Sequence, residues 1–228
     1  MTSPGDVEDS RDVSSILDAT DPQTWGPALD EAVNAVARGQ VVVLPTDTVY
    51  GIGADAFTPA AVAALLAAKG RGRQMPPPVL IPDQRVLDGL ATGVAGAARS
   101  LAAAFWPGAL TLIVRAQPSL AWDLGETRGT VALRVPDHPL ALALLRRTGP
   151  MAVSSANRTG HPAATSAAEA AEQLGDAVAV VLDGGPTPGN VPSTIVDATG
   201  DRLRVVRLGA LSLADLRGVA RVVGPDDT

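Results

Sequence analysis

Residues 41–51 read Val-Val-Val-Leu-Pro-Thr-Asp-Thr-Val-Tyr-Gly, a short apolar run followed directly by a polar turn. Four consecutive apolar residues, three of them β-branched, are typical of a strand that is buried on both faces of a sheet. Such sheets are covered by helices, and their ligands bind beyond the carboxyl ends of the strands. The stretch therefore predicts an α/β fold and a functional role for the loop that follows this strand.

Short apolar runs separated by helix-like segments continue to the end of the chain. Capping residues mark helix starts, such as Thr58 before Pro59 and Ser166 three residues before Glu169. We therefore expect a three-layer α/β (α+β) domain, in which a twisted mixed β-sheet of about seven strands lies between helices on both faces. The apolar runs that predict these seven or eight strands are residues 41–44, 79–81, 109–115, 130–134, 151–153, 178–182, 194–196 and 203–206.

The first 23 residues differ from the rest in composition. They are rich in Asp, Ser and Thr, which predicts a flexible N-terminal leader over residues 1–23. Residues 24–228 carry the alternating pattern without an internal linker and fit one catalytic domain of ordinary size. The sequence shows neither a signal peptide nor a run of about 20 apolar residues. We therefore expect a cytoplasmic protein that does not enter a membrane.

Composition excludes several kinds of site. The chain has no cysteine, which excludes disulfides, thiolate-bound zinc, iron–sulfur clusters and a thiol nucleophile. Its two histidines, His138 and His161, leave little material for a histidine metal site or a hydrolytic triad. A net charge of −6 and an aromatic content of 3% argue against a broad nucleic-acid-binding surface, whereas a local basic groove is compatible with them.

One basic loop stands out. Of the 18 cationic residues 17 are arginines, and the one lysine, Lys69, begins the segment Lys-Gly-Arg-Gly-Arg with Arg71 and Arg73. Glycine lets the backbone approach a ligand closely, arginine binds phosphate in a bidentate manner, and lysine acts as a point charge. A solvated helix end is the ordinary alternative for such a segment. Three further polar loops, at residues 45–51, 153–157 and 190–197, favour a phosphate-binding site instead.

Common nucleotide and hydrolase motifs do not explain these loops. The pattern GxxxxGK[ST] does not occur. Residues 51–56 match the dinucleotide pattern GxGxxA only superficially, because a polar loop separates them from the preceding strand. Ser154 and Ser155 are not part of a GxSxG turn. An enzyme without a cysteine or a well-placed histidine must act mainly by positioning its substrates and by electrostatic stabilisation. Phosphoryl- and nucleotidyl-transfer enzymes commonly act in this way, with Mg²⁺ supplying much of the charge.

Taken together and in order, the loops and strands resemble the YrdC-type threonylcarbamoyl-AMP synthases, over about residues 28–220. The resemblance implies a fold related to that of dihydroxybutanone-phosphate synthase, built around a basic cavity. It also implies the single-domain form of the family. The segments that carry it are PTDTVYGIGADA (45–56), KGRGR (69–73), WPGALTLIV (106–114), TVALRVPDHP (130–139), VSSANRTG (153–160), VPSTIVD (191–197) and VVRLGA (205–210).

The resemblance implies an activity with defined substrates and partners. L-threonine, bicarbonate and ATP, the last with Mg²⁺, give threonylcarbamoyl-AMP and pyrophosphate. Partner transferase proteins then move the threonylcarbamoyl group to an adenosine beside the anticodon of certain tRNAs, and direct contact of this protein with tRNA or another RNA is left open. The ligands of the metal ion and any role of Asp47 are left open by the resemblance.

The resemblance also assigns roles to individual residues. The threonine side of the site is formed by Thr46, Arg134 and Ser193. The nucleotide phosphates are held by Lys69 and Arg71, and further ATP contacts come from Thr130, Ser155, Asn157 and Arg207. One departure is Pro82, which stands where many relatives carry a histidine.

Two other functions are compatible with the same residues. The first is a non-catalytic RNA-binding or ribosome-associated module on the same fold, which the basic cavity favours and the net charge opposes. The second is a carbamoyl-handling domain like those of hydrogenase maturation, although such domains occur within longer chains that contain cysteine. Release of AMP or pyrophosphate that requires both threonine and bicarbonate distinguishes threonylcarbamoyl-AMP synthesis from the RNA-binding module, which RNA binding without such release would favour.

Overall fold

The computed structural model describes residues 15–225 and residue 227. Over this part of the chain it has seven α-helices: α1 Gly26–Ala37, α2 Pro59–Ala68, α3 Leu87–Leu90, α4 Gly96–Phe105, α5 Pro139–Thr148, α6 Ala167–Leu174 and α7 Leu213–Arg217. The twelve strands of the same part are β1 Ser15–Asp18, β2 Val42–Leu44, β3 Gly51–Asp55, β4 Val79–Leu80, β5 Ala91–Thr92, β6 Leu110–Ala116, β7 Thr130–Arg134, β8 Met151–Ser155, β9 Val180–Asp183, β10 Thr194–Asp197, β11 Leu203–Arg207 and β12 Val222–Val223.

All twelve strands form one mixed sheet. Their order across it is β1-β9-β2-β3-β8-β4-β7-β6-β10-β11-β12, and β5 pairs with β6 outside this path. Strands β2 and β9 are parallel, whereas β3 is antiparallel to both β2 and β8. The predicted fold class, a mixed sheet with helices in an α/β arrangement, is confirmed. The predicted number of about seven strands is too low.

Helices cover both faces of the sheet, as the sequence predicted. The alternation of side chains along β2 shows this directly, because Val42 and Leu44 belong to one apolar cluster and Val43 belongs to the other. The first cluster packs the sheet against α1 and α5, and the second packs it against α2, α4 and α6. This two-sided burial explains why the strand reads as an unbroken apolar run.

Strand β3 is the largest element that the sequence did not predict. Two glycines interrupt its apolar pattern, and these glycines are required by close packing against the neighbouring strand. A Cβ atom on Gly51 would lie 2.6 Å from a methyl group of Val153, and one on Gly53 would lie 3.0 Å from the terminal methyl group of Met151. A glycine inside a strand marks such a close approach. The small strands β5 and β12 were also missed.

Strand β1 lies within residues 1–23, where the sequence predicted a flexible leader. Residues 15–18 pair in parallel with β9 at the edge of the sheet, so this part of the prediction is wrong. The acidic and polar composition of the segment concealed Ile16 and Leu17, which are enough for a short edge strand. Residues 1–14 lie outside the described residues.

The sheet leaves one face of its central strands open for a cavity. On β7, Leu133 enters the apolar core, while Thr130, Ala132 and Arg134 line the cavity on the other side. The site therefore lies on a face of the sheet as well as at strand ends. Within the described residues, no helix has the length and apolar character that crossing a membrane requires.

Candidate active site

One cavity of about 300 Å³ collects most of the residues that the sequence singled out. Strands β6, β7 and β10 form its floor, and two loops and the end of strand β8 form its walls. The loops are residues 46–50 after β2 and residues 71–78 after α2. The predicted site residues that line this cavity are Thr46, Arg71, Thr130, Arg134, Ser155, Ser193 and Arg207.

Arg134 is the most constrained cation of the cavity. It is the last residue of β7 and is only 6% exposed. Its Nε donates to the carbonyl of Gly108 at 2.9 Å, Nη1 donates to Oγ1 of Thr48 at 3.1 Å, and Nη2 lies 2.5 Å from Oδ1 of Asp47. Burial lowers the pKa of Arg134, and the negative charge of Asp47 opposes that shift. One hydrogen on each Nη atom is left for a ligand.

Thr46 and Thr48 follow β2 and form the wall next to Arg134. The hydroxyl of Thr46 donates to the carbonyl of Val49 at 2.6 Å and accepts the backbone N–H of Thr48 at 3.2 Å. The one hydroxyl hydrogen of Thr46 is therefore already used, and its oxygen can only accept a hydrogen bond from a ligand. Thr48 accepts from Arg134 and keeps its own hydrogen for Thr46, 3.1 Å away, or for a ligand.

Ser193 precedes β10 and also lines the cavity. Its Oγ lies 2.9 Å from Oγ1 of Thr111 on β6. Arg207, at the end of β11, donates from Nη2 to the carbonyl of Ser193 at 2.7 Å and reaches Oγ of the same residue at 3.3 Å. The sheet itself sets this arrangement, since Ile195 is paired with Thr111 on one side and with Arg207 on the other.

Three guanidinium groups converge on the cavity. Burial lowers the pKa of Arg207, and the charges of Arg134 and Arg71 lower it further. Burial also lowers the pKa of Arg71. Nη1 of Arg71 donates to Oγ of Ser154 at 2.9 Å, while its buried Nε has no partner within the described part of the chain. Such an accumulation of positive charge in a half-buried cavity favours an anionic ligand with several charges.

Lys69 does not line the cavity but lies behind its wall. It is 3% exposed, and its Nζ donates to the carbonyl of Ser155, to the carbonyl of Asn157 at 2.6 Å and to Oδ1 of Asn157 at 3.4 Å. These three acceptors match the three hydrogens of an ammonium group. Burial lowers the pKa of Lys69 to about 8, with a further contribution from Arg71. Lys69 therefore holds the loop that follows β8.

Asn157 is part of the same support. Its Nδ2 donates to the carbonyls of Arg158 at 2.9 Å and His161 at 2.8 Å, so its amide closes the turn after β8. The position of Ser155 follows from this support, because Ser155 is the last residue of β8 and pairs with Gly51 across the sheet. Thr130 lies at the other end of the floor, where its hydroxyl donates to the carbonyl of Thr127 at 2.7 Å.

Several residues of the site were not predicted. Thr48, Thr111 and Ser154 line the cavity beside predicted residues, and Asp47, whose role the sequence left open, neutralises Arg134. A single hydroxyl residue inside the apolar run of β6 was the available signal for Thr111. Pro82, the departure noted above, does not line the cavity, although the nearby Leu80 does.

The residues present give little support to a metal site made by the protein alone. The described residues contain no group of three His, Cys, Asp or Glu side chains that could hold a metal ion. The carboxylate of Asp47 already accepts from Arg134 and from the backbone N–H of Asp137 at 3.0 Å. A magnesium ion that enters with nucleotide phosphates fits this donor set, because Mg²⁺ commonly keeps its waters and binds substrate phosphates.

Curated relatives share most of the length of the chain. A Mycobacterium tuberculosis protein, provisionally named a threonylcarbamoyl-AMP synthase, is 53% identical over 214 residues, which are 94% of this chain and 97% of the relative. The threonylcarbamoyl-AMP synthase of Bacillus subtilis is 40% identical over 217 residues, covering 94% of this chain and 60% of the longer relative.

Solved structures and a family model agree with these relatives. Sua5 of P. abyssi complexed with L-threonine superposes with a TM-score of 0.85 at 33% identity, covering 92% of this chain and 62% of that one. E. coli YciO superposes with a TM-score of 0.78 at 27% identity, covering 89% and 99%. The Sua5/YciO/YrdC family model, described as "Telomere recombination", matches residues 34–209. The chain therefore belongs to the Sua5/YciO/YrdC family.

Proposed function

We propose that this protein makes threonylcarbamoyl-AMP from L-threonine, bicarbonate and ATP and releases pyrophosphate. The observation that carries the proposal is one cavity in which Arg71, Arg134 and Arg207 converge on hydroxyl groups. The names of the relatives support the same activity. A cavity of this composition catalyses by positioning its substrates and by stabilising the charge that develops on them.

Threonine binds at the end of the cavity formed by Arg134 and Thr46. The two Nη hydrogens that Arg134 has left suit the two oxygens of a carboxylate, which arginine binds in a bidentate manner. The hydroxyl of Thr46 can only accept, because its hydrogen is used by Val49. It therefore suits the amine of the substrate, and Ser193 closes the same side of the cavity.

ATP occupies the other end of the cavity. Arg71 and Arg207 bind its phosphates, and Thr130 and Ser155 line the same space. Mg²⁺ enters with ATP and, when bound, neutralises phosphate charge. Lys69 and Asn157 contribute to this half by holding the end of β8, where Ser155 lies, and the loop that follows it. The buried Nε of Arg71, which has no partner within the described residues, is a donor that a phosphate oxygen would satisfy.

The chemistry follows in two steps. The ammonium group of threonine loses a proton to solvent, and the neutral amine attacks the carbon of bicarbonate, forming an N–C bond and releasing water. A carboxylate oxygen of the resulting N-carboxy-threonine then attacks the α-phosphorus of ATP. The bond from this phosphorus to the bridging oxygen breaks, and pyrophosphate leaves with the electron pair. Arg71 and Arg207 stabilise the charge that grows on the phosphates.

The product fits a role at the start of a tRNA modification. A mixed anhydride with AMP is an activated acyl donor, and partner transferase proteins pass its threonylcarbamoyl group to an adenosine in tRNA. The reaction with small substrates requires no direct RNA contact by this chain. We place the protein in the cytoplasm, where ATP, threonine and tRNA are found together.

The test is the dependence of pyrophosphate release on each substrate. Purified protein is incubated with ATP, Mg²⁺, threonine and labelled bicarbonate, and the adduct is identified by mass spectrometry. We expect release of pyrophosphate and label in the adduct only when all three substrates are present. RNA binding without such release would instead support a non-catalytic module. Release with another carbamoyl acceptor would support a carbamoyl-handling domain.

A further inference from the structure

Thr111 is a buried hydroxyl residue to which the chemistry above gives no role. It is the second residue of β6 and is 1% exposed, and its Oγ1 lies 2.9 Å from Oγ of Ser193. Its neighbours Leu110 and Leu112 enter the apolar core, while Thr111 lines the cavity. A valine has nearly the same shape and would not bury a hydroxyl, whose desolvation is unfavourable. The hydroxyl therefore needs an explanation.

A count of hydrogens shows what this pair of hydroxyls can offer. Arg207 only donates, and its Nη2 lies 3.3 Å from Oγ of Ser193. Of the two hydroxyl hydrogens, one lies between Thr111 and Ser193. The other has no acceptor within hydrogen-bond distance among the residues that the structure describes, and both side chains line the cavity. The pair therefore presents one free O–H donor to a ligand.

Arg207 adds charge at the same position. Its Nε and Nη2 are directed at Ser193, whereas Nη1 makes no hydrogen bond within the described part of the chain. The guanidinium is held in place by the carbonyl of Ser193, so its free hydrogens are oriented before a ligand arrives. A fixed cation beside one neutral O–H donor is suited to a small oxyanion with a single charge.

We propose that Thr111, Ser193 and Arg207 form an oxyanion subsite that binds bicarbonate and then the carboxylate made from it. This inference rests on the proposed function and deepens it, because it assigns the third substrate to named atoms. Arg134 already serves the carboxylate of threonine with its two remaining hydrogens. A second anion needs a second cation, and Arg207, to which the phosphates of ATP are also assigned, supplies it beside the hydroxyl pair. Thr111 is thus a binding residue for bicarbonate.

The experiment compares Thr111→Val with Thr111→Ser. Initial rates are measured in carbon dioxide-free buffer while bicarbonate, threonine and ATP are varied in turn. Loss of one hydrogen bond to an anion raises the KM for bicarbonate about tenfold in Thr111→Val. The KM values for threonine and ATP stay within about twofold of the wild type, because neither substrate is assigned a contact with Thr111 itself. Thr111→Ser keeps the hydroxyl and restores the bicarbonate KM.

Controls separate a structural effect from loss of the subsite. Thr148→Val removes a hydroxyl that bonds Leu144 in α5 and does not line the cavity, so its three KM values match the wild type. If Thr111→Val does not fold, Thr111→Ala, which removes the same hydroxyl, replaces it in the same assay and raises the bicarbonate KM selectively. The inference is overturned if Thr111→Val equals the wild type or raises all three KM values equally. It is also overturned if Thr111→Ser fails to restore the bicarbonate KM. A wild type that forms no adduct would refute the proposed function itself.

Discussion

Nη2 of Arg134 lies 2.5 Å from Oδ1 of Asp47, and the two side chains are only 8% and 16% exposed. The same carboxylate oxygen accepts the backbone N–H of Asp137 at 3.0 Å, which ties the loop after β2 to the loop after β7. Before substrate binds, Asp47 is thus the negative charge that balances a buried guanidinium. Removal of either partner of such a pair is far more harmful than loss of an exposed pair.

Asp47→Ala should destabilise the protein strongly. The change leaves Arg134 buried without a counter-charge and lowers the free energy of unfolding by about 3 kcal/mol. Asp88→Ala is the matched control, because its pair with Arg99 is largely exposed, and its effect should stay below about 1 kcal/mol. Urea unfolding without substrates measures both. Equal losses in the two variants would contradict a special role for the pair of Asp47 and Arg134.

Arg134→Lys should impair threonine binding although it keeps the charge. An ammonium group cannot reproduce the three directed hydrogen bonds of this side chain and also grip a carboxylate at two points. Each charge-assisted hydrogen bond contributes about 1.5–3 kcal/mol, so we expect a KM for threonine that rises roughly 100-fold. Arg147→Lys, which affects an exposed pair with Asp30, should leave it unchanged. A threonine KM near the wild-type value in Arg134→Lys would rule out this assignment.

Strands made of an unbroken apolar run were predicted from the sequence. Strands whose apolar run is interrupted by glycine, or is very short, were missed. Residues 41–44 were predicted because β2 is buried on both faces. Strand β3 was missed because close packing requires Gly51 and Gly53, and these resemble a loop signal. Strand β1 was missed because an edge strand of four residues needs little apolar content. Local composition does not reveal such tertiary constraints.

Residues of the site in polar loops could be predicted more readily than residues inside strands. Thr46 and Ser155 lie at or just after strand ends, in polar segments that the sequence singled out, and the family resemblance assigned them to the site. Thr111 was not identified, because only the pairing of β6 with β10 places it beside Ser193. Lys69 was identified, but its acceptors lie 86 and 88 residues away in the chain. That distance explains why its placement behind the cavity wall could not be predicted.

Arg71 and Arg73 offer a comparison within one loop. Arg71 lines the cavity, whereas Arg73 pairs with Asp123 at 2.8 Å on the exposed side. Loss of a transition-state charge contact lowers the rate by roughly 10²–10³, so we expect kcat/KM for ATP to fall by that factor in Arg71→Ala. Arg73→Ala should change it by less than about threefold, because the exposed ion pair contributes little. Steady-state kinetics with varied ATP measure both. The assignment fails if the two variants behave alike.

ATP affinity should fall in mildly alkaline solution, because Lys69 loses its proton there. Its pKa is lowered to about 8 by burial and by Arg71, so above pH 8 the amine keeps two hydrogens for three acceptors and the loop at Ser155 loses a contact. We expect ATP affinity, measured by calorimetry without threonine or bicarbonate, to fall through an apparent pKa of about 8. An ATP affinity that is constant between pH 7 and pH 9 would contradict this role.

Lys69 should make the protein more stable as the pH rises above 8, although ATP affinity falls over the same range. The native state loses this proton near pH 8, while the unfolded state keeps it until about pH 10.5. Between these values the unfolded state binds more protons, so the contribution of Lys69 to the free energy of unfolding rises with pH. In Lys69→Met this rise should disappear from urea unfolding curves recorded between pH 8 and pH 10. A rise that persists in the variant would assign it to another group.

His138 should make the protein less stable in mild acid. It precedes α5, its buried Nδ1 has no partner within the described residues, and its ring lies against Gly184, where an added Cβ would come within 3.3 Å. Burial lowers the pKa of His138 below its ordinary value of 6.5, although Asp47 and Asp137 oppose the shift. As the pH falls through 6.5, the unfolded state therefore takes up a proton that the native state does not, and the free energy of unfolding decreases.

Urea unfolding at pH 7.5 and pH 5.5 measures this effect of His138. Wild-type protein should lose stability between the two values, and His138→Gln should lose less because its side chain does not titrate in this range. His161→Gln, at an exposed turn, should keep the wild-type difference. The carboxyl groups whose pKa values are lowered, such as Asp83 and Asp123, lose their stabilising charge only at lower pH. If His138→Gln retained the full wild-type loss, the proton responsible would lie on another group.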